Sequence, residues 1–146
     1  MKKFYRIAFK TSDDYRSVLP RLIVSLVFIS EGIQKFLFPG SVGAARFETI
    51  GFANPDFVAA FVGTFEVVCG ALVLVGFSVR MASVPLLIIM LTAIATTKIP
   101  ILRDEGFWKM AHEARTDFAM TLLTVFLLLY GASRLSADST IMRRME

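Results

Sequence analysis

The reading of residues 57–101, FVAAFVGTFEVVCGALVLVGFSVRMASVPLLIIMLTAIATTKIPI, decides the fold, because only Glu66, Arg80 and Lys98 carry charge in it. A bilayer core about 30 Å thick is crossed by roughly 20 helical residues that rise ~1.5 Å each. The stretch therefore holds two spans, 57–77 and 81–101. Residues 78–80 leave room for a turn and nothing more, so the two spans run antiparallel. Working outward, residues 19–38 and 117–135 are apolar segments of similar length, and the spacers 39–56 and 102–116 are short. The expected fold is all-α: an integral membrane antiparallel four-helix bundle over residues 18–136, with a lead-in at 1–17 and a tail at 137–146.

Composition points the same way. Of 146 residues, 55% are hydrophobic and 19% charged, against about 25% charged in soluble chains, and the mean hydropathy is +0.65. These figures exclude a disordered chain and a disulfide scaffold. The sequence pI of about 9.5 does not mark a nucleic-acid binder, because the basic residues are distributed as membrane topology requires. With both termini on one side, that side collects Lys2, Lys3, Arg6, Lys10, Arg16, Arg21, Arg80, Arg134, Arg143 and Arg144. The other side holds Lys35, Arg46, Lys98, Arg103, Lys109 and Arg115, interleaved with acids. The termini are therefore expected in the cytoplasm. Asp13, Asp14 and Arg16 interrupt the approach to the first apolar run, and Glu31 and Lys35 stand where a cleavage site would follow, so no secretory signal is read there. Instead, Phe4, Ile7 and Ala8 beside Lys2, Lys3 and Arg6 suit a lead-in lying on the membrane surface.

Both outer spacers carry helical patterns. Phe107, Met110, Ala111, Ala114 and Phe118 share one face next to Trp108, which predicts a short interfacial helix leading into the fourth span. In the first spacer a piece over 42–50 presents Val42, Phe47 and Ile50 for packing back onto the bundle. Asn54 before Pro55 is the expected cap of the second span.

Charges inside the spans carry the functional information, because each costs at least about 2.5–3.5 kcal/mol near the bilayer centre. Glu31 and Glu66 lie roughly 10 and 13 Å below the outer ends of antiparallel neighbours, so the two carboxylates fall near one level. Lys35 follows Glu31 by four residues, the favourable order for an ion pair on one helix face. Glu66 has no charged neighbour on its helix and shares a face with Ala59, Gly63 and Gly70, small residues that admit another helix closely and turn Glu66 inward. Lys98, Arg115 and Asp117 belong to the same outer half. Glu31, Lys35, Glu66, Lys98, Arg115 and Asp117 are thus the candidate ligand or proton site, with packing glue or a partner interface as the competing readings. His112 is the only histidine, so no metal centre is expected. Cys69 stands alone and makes neither an intrachain disulfide nor a dithiol redox centre. No phosphate loop, paired-histidine metal motif or serine nucleophile motif is found.

The segments EGIQKF at 31–36, the whole of 50–95, and LLLYGASRLSADS at 127–139 together resemble the DoxX family of small four-span bacterial membrane proteins. The likeness rests on Gly32 and Lys35, on Glu66, Gly70, Gly76 and Arg80, and on Gly131, Leu135, Ser136 and Asp138. It implies a multi-pass protein of the bacterial plasma membrane in contact with lipid. It also implies a non-autonomous subunit of a quinone-linked or oxidative-stress redox system, with a quinone as cofactor and a partner redox subunit or a homo-oligomer as its setting. Asp117 stands where relatives often carry glutamate, a departure that bears on any role at that position. A small proton-coupled carrier and a non-catalytic scaffold are the alternative functions.

Overall fold

The computed structural model describes residues 15–145, which are helical with no strand among them. Helix α1 spans Val18–Leu37, and a short α2 covers Ala44–Ile50 in the first spacer. Helix α3 runs Pro55–Val75 and α4 runs Val79–Ala93. A π-helical turn at Ile94–Lys98 leads directly into α5 at Ile99–Asp104. After these come α6 at Phe107–Glu113, α7 at Arg115–Tyr130 and α8 at Ala137–Met145. The surface-lying lead-in expected around Phe4, Ile7 and Ala8, and the interrupting Asp13 and Asp14, lie outside the described residues.

Local chemistry explains most boundaries. Pro55 opens α3, where a missing N–H is costless, but Asn54 makes no side-chain capping bond, contrary to expectation. The helix ends at Gly76 with φ 73. The Phe77 N–H donates to Leu72 O at 2.9 Å and the Gly76 N–H to Val73 O at 3.1 Å, the paired bonds of a Schellman stop. Pro85 lies inside α4. The third expected span runs past 101 to Asp104, and its π turn has a cause in the sequence. Pro100 has no N–H, and in a regular helix its ring would press on the Thr96 carbonyl. The wider turn, in which the Ile99 N–H reaches back to Ile94 O, accommodates that mismatch.

Two further boundaries differ from the sequence reading. The interfacial helix is present as α6 but does not run on to Phe118, because Ala114, at φ −88 and ψ −3, separates it from α7. The fourth span was expected to reach residue 135, yet α7 ends at Tyr130. Gly131 takes φ 73 and ψ −154, a conformation essentially reserved for glycine.

Helix α1 packs along α3, α4 along α7, and contacts between α3 and α4 and between α1 and α7 complete the arrangement. The core joins Val24 and Phe28 of α1, Cys69 and Val73 of α3, Val79, Ala82 and Leu86 of α4, and Met120 and Leu127 of α7. Outside it, Leu19, Leu26, Phe57, Phe61, Val68, Ile88, Leu91, Leu122 and Leu129 are exposed. Among the described residues, two helical runs, Pro55–Val75 and Val79–Asp104, are long and apolar enough to cross a membrane.

Candidate functional site

The seam between α1 and α3 is built from glycines. A Cβ on Gly32 would lie 2.7 Å from the Gly63 carbonyl oxygen and 3.0 Å from Glu66 Cβ. One on Gly70 would lie 2.9 Å from Ile29 Cγ1. No side chain fits between the backbones at these points, which is the physical reason for small residues there. Ala59, Gly63, Glu66, Cys69, Gly70 and Val73 form the buried face of α3, so Glu66 is turned inward as its neighbours in sequence suggest.

Lys35, in the last turn of α1, reaches across this seam. Its Nζ stands 2.6 Å from Glu66 Oε2, with side-chain exposures of 10% and 6%. These low values make the pair a buried one, where loss of one partner leaves an uncompensated charge. The expected Glu31 to Lys35 ion pair is not formed. Lys35 Nζ donates instead to the backbone carbonyl of Glu31 at 3.3 Å, and the Glu31 side chain is exposed. The near approach of Gly32 to Glu66 places Glu31 and Glu66 at one level, but only Glu66 faces the seam. Arg46, on α2, lies within electrostatic reach of Glu66.

The other predicted residues form a second group. Lys98 closes the π turn and pairs with Asp117 in the first turn of α7, Nζ to Oδ2 3.2 Å, with side-chain exposures of 13% and 25%. The extra residue of the π turn thus sets the register in which Lys98 meets α7. Arg115 is exposed and lies against the His112 ring, Nη1 to Nε2 2.7 Å. Of the six candidates, the structure joins Lys35 with Glu66 and Lys98 with Asp117, and leaves Glu31 and Arg115 at the surface.

Sequence reasoning missed a polar knot at the other end of the molecule. Arg21, by sequence one of the charges on the terminal side, is 5% exposed. Its Nε donates to Val73 O at 3.0 Å, Nη2 to Leu74 O at 2.8 Å and Nη1 to Leu135 O at 2.7 Å. The guanidinium thereby satisfies carbonyls at the C-terminal end of α3, where the helix dipole also favours a cation. Asp138 does the converse for α4. Its Oδ1 and Oδ2 accept from the Ser78 and Val79 N–H groups at 2.8 and 3.4 Å, and its own N–H donates to Gly76 O at 3.0 Å. Burial pushes the Asp138 carboxyl above its ordinary value, against the pull of those two N–H groups and of Arg21. Arg80 Nη2 donates to Leu129 O at 2.8 Å. Gly76, Arg80, Leu135 and Asp138, on which the family likeness partly rests, are therefore fastenings of this knot. The signal available in the sequence was the position of Arg21 inside the apolar run of α1.

The chain is similar in sequence to known proteins. The chain is 50% identical over 130 residues to the membrane protein Rv3486 of Mycobacterium tuberculosis, covering 85% of this chain and 80% of that one. It is 27% identical over 130 residues to the Bacillus subtilis protein named "Putative oxidoreductase CatD", covering 87% of each. No solved structure matches the chain. The DoxX family matches residues 17–99, the region that contains the glycine seam, the Lys35–Glu66 pair and the Arg21 fastening, and the chain belongs to that family of membrane proteins.

Proposed function

We propose that the protein crosses the bacterial plasma membrane four times as an antiparallel bundle with both termini in the cytoplasm. In this reading it serves as a non-autonomous membrane subunit of a redox system, with a site for a quinone-like ligand in the outer half of the bundle. Lipid covers the exposed apolar side chains of α1, α3, α4 and α7, and α1 and α7 are the two further crossings. The Lys35–Glu66 pair carries the functional part. A membrane protein that buries a lysine and a glutamate bears a cost that packing alone does not require, since apolar residues of similar volume would serve as well or better. The name borne by the B. subtilis relative supports redox chemistry over the other classes.

The residues suit such a ligand. The Lys35 ammonium stabilises negative charge developing on a carbonyl oxygen, and the Glu66 carboxylate accepts or returns a proton beside it. Lys98 and Asp117 offer a second charged pair on the neighbouring helices. Cys69 is the single cysteine and is buried, so electrons come from the bound group or from a partner subunit; a quinone supplies the two-electron chemistry. The test is lipid extraction and mass spectrometry of protein purified in mild detergent. A stoichiometric quinone that Glu66→Gln depletes is the expected result. A ligand-free wild-type preparation overturns the reading.

A further inference from the structure

Along the same α1–α3 seam lies an open groove lined by Ile33, Phe36 and Leu37 of α1 and Thr64, Val67 and Val68 of α3, with a volume of about 380 Å³. Thr64 is its one polar lining residue, and that hydroxyl is already donated to Ala60 O at 2.7 Å. The groove therefore offers hydrocarbon contact and no free polar group.

Three observations connect it to the buried pair. A Cβ on Gly32 would meet Val67 Cγ2 at 2.8 Å and Glu66 Cβ at 3.0 Å, so a wall of the groove and the stem of the carboxylate abut the same glycine. Phe36, adjacent to Lys35, lines the groove and lays its ring edge over Gly63, with Cε2 2.9 Å from where a Cβ would stand. Glu66 is also under-supplied with donors. A carboxylate has about four lone-pair positions, yet among the described residues Lys35 alone forms an ion pair with it, 2.6 Å from Oε2, and Arg46 acts from farther away. A buried acceptor in that state calls for a donor.

We infer that groove and ion pair form one site for a single-tailed amphiphile dissolved in the bilayer, an alkyl or isoprenyl chain bearing a neutral hydroxyl headgroup. The inference rests on the reading of Lys35–Glu66 as a ligand site. The tail lies against Ile33, Leu37 and Val68, and the headgroup hydroxyl donates to Glu66. Rotation of the exposed Phe36 ring off Gly63 opens the passage between the two. The headgroup binds in its neutral form because Lys35 and Glu66 balance each other in the resting site, where a further buried charge would have no counterion.

The probes are 4-dodecylphenol and dodecylbenzene, which share a tail and differ in the hydroxyl. Each is offered to the full chain in phosphatidylcholine nanodiscs and counted by native mass spectrometry. Wild type is expected to retain one 4-dodecylphenol, about tenfold more tightly than dodecylbenzene, the effect of one good hydrogen bond. The double change Lys35→Met with Glu66→Leu, which leaves no acceptor there, should reduce 4-dodecylphenol to the dodecylbenzene level. Thr64→Phe, at an exposed position, should fill the groove and release both probes. Retention indifferent to the hydroxyl, or to Thr64→Phe, overturns the inference. Retention that needs Glu66 but survives Thr64→Phe removes the groove alone and leaves Lys35–Glu66 as a ligand site, whereas no retention by wild type removes both.

Discussion

At the residue scale, the informative side chains are the charged ones in apolar surroundings, and they divide into two kinds. Arg21 and Asp138 have their hydrogen bonds largely filled by backbone groups, which is what a structural role looks like. Glu66 has Lys35 and little else. Asp138→Ala strips the donors at the start of α4 of their acceptor and should cost about 1–2 kcal/mol, the scale of a lost helix cap, read as a lower Tm. The raised pKa of Asp138 sets the sign of a pH effect. The fold favours the protonated acid, so that contribution is present below the unfolded value of about 3.9 and is lost as pH rises through the folded value. Melting curves between about pH 4 and 7 should move in favour of Asp138→Asn over wild type as pH rises; a shift the other way contradicts the assignment. For the pair, Glu66→Ala or Lys35→Ala alone should destabilise by roughly 3–5 kcal/mol, while the double change Lys35→Met with Glu66→Leu should be near neutral.

At the element scale, close approach governs. Gly32→Ala places a methyl against the Gly63 carbonyl, a backbone atom that cannot step aside. The helices must separate, at about 1–3 kcal/mol, and the Lys35 to Glu66 distance must grow with them. Gly76→Ala is worse placed, since it combines φ 73 with a Cβ 2.5 Å from Arg21 Nη2. The inward turn of Glu66 was legible in the sequence because Ala59, Gly63 and Gly70 recur at helical spacing. The partner of Lys35 was not legible. An i to i+4 rule favoured Glu31, and only the crossing of α1 and α3 brings Glu66 nearer. The π turn is not legible because mean hydropathy carries the span on to Ile101, and hydropathy does not register the N–H that Pro100 lacks. The end of α7 is hidden for a similar reason: Leu135 extends the apolar run, but the backbone at Gly131 has already left the helix.

At the scale of the whole molecule, the order and approximate extent of the long helices follow from hydropathy, whereas what fastens their ends together depends on contacts between distant segments. Arg21 and Arg80 are spent on carbonyls and Lys35 and Lys98 on carboxylates, yet removing these from both sides leaves the basic excess with the termini. In a Cys69→Ala background, cysteines at position 40 or 105 should react with a membrane-impermeant maleimide added to intact cells, and one at position 140 should not. Labelling of position 140 from outside would reverse the proposed topology. The central claim, that Lys35 and Glu66 serve a ligand rather than the fold, is tested most directly by the Lys35→Met, Glu66→Leu double variant, purified beside wild type and extracted for lipid-soluble molecules by mass spectrometry. The account predicts an equal Tm, with a stoichiometric quinone in wild type and none in the variant; an equal quinone content in both, or none in either, would contradict it.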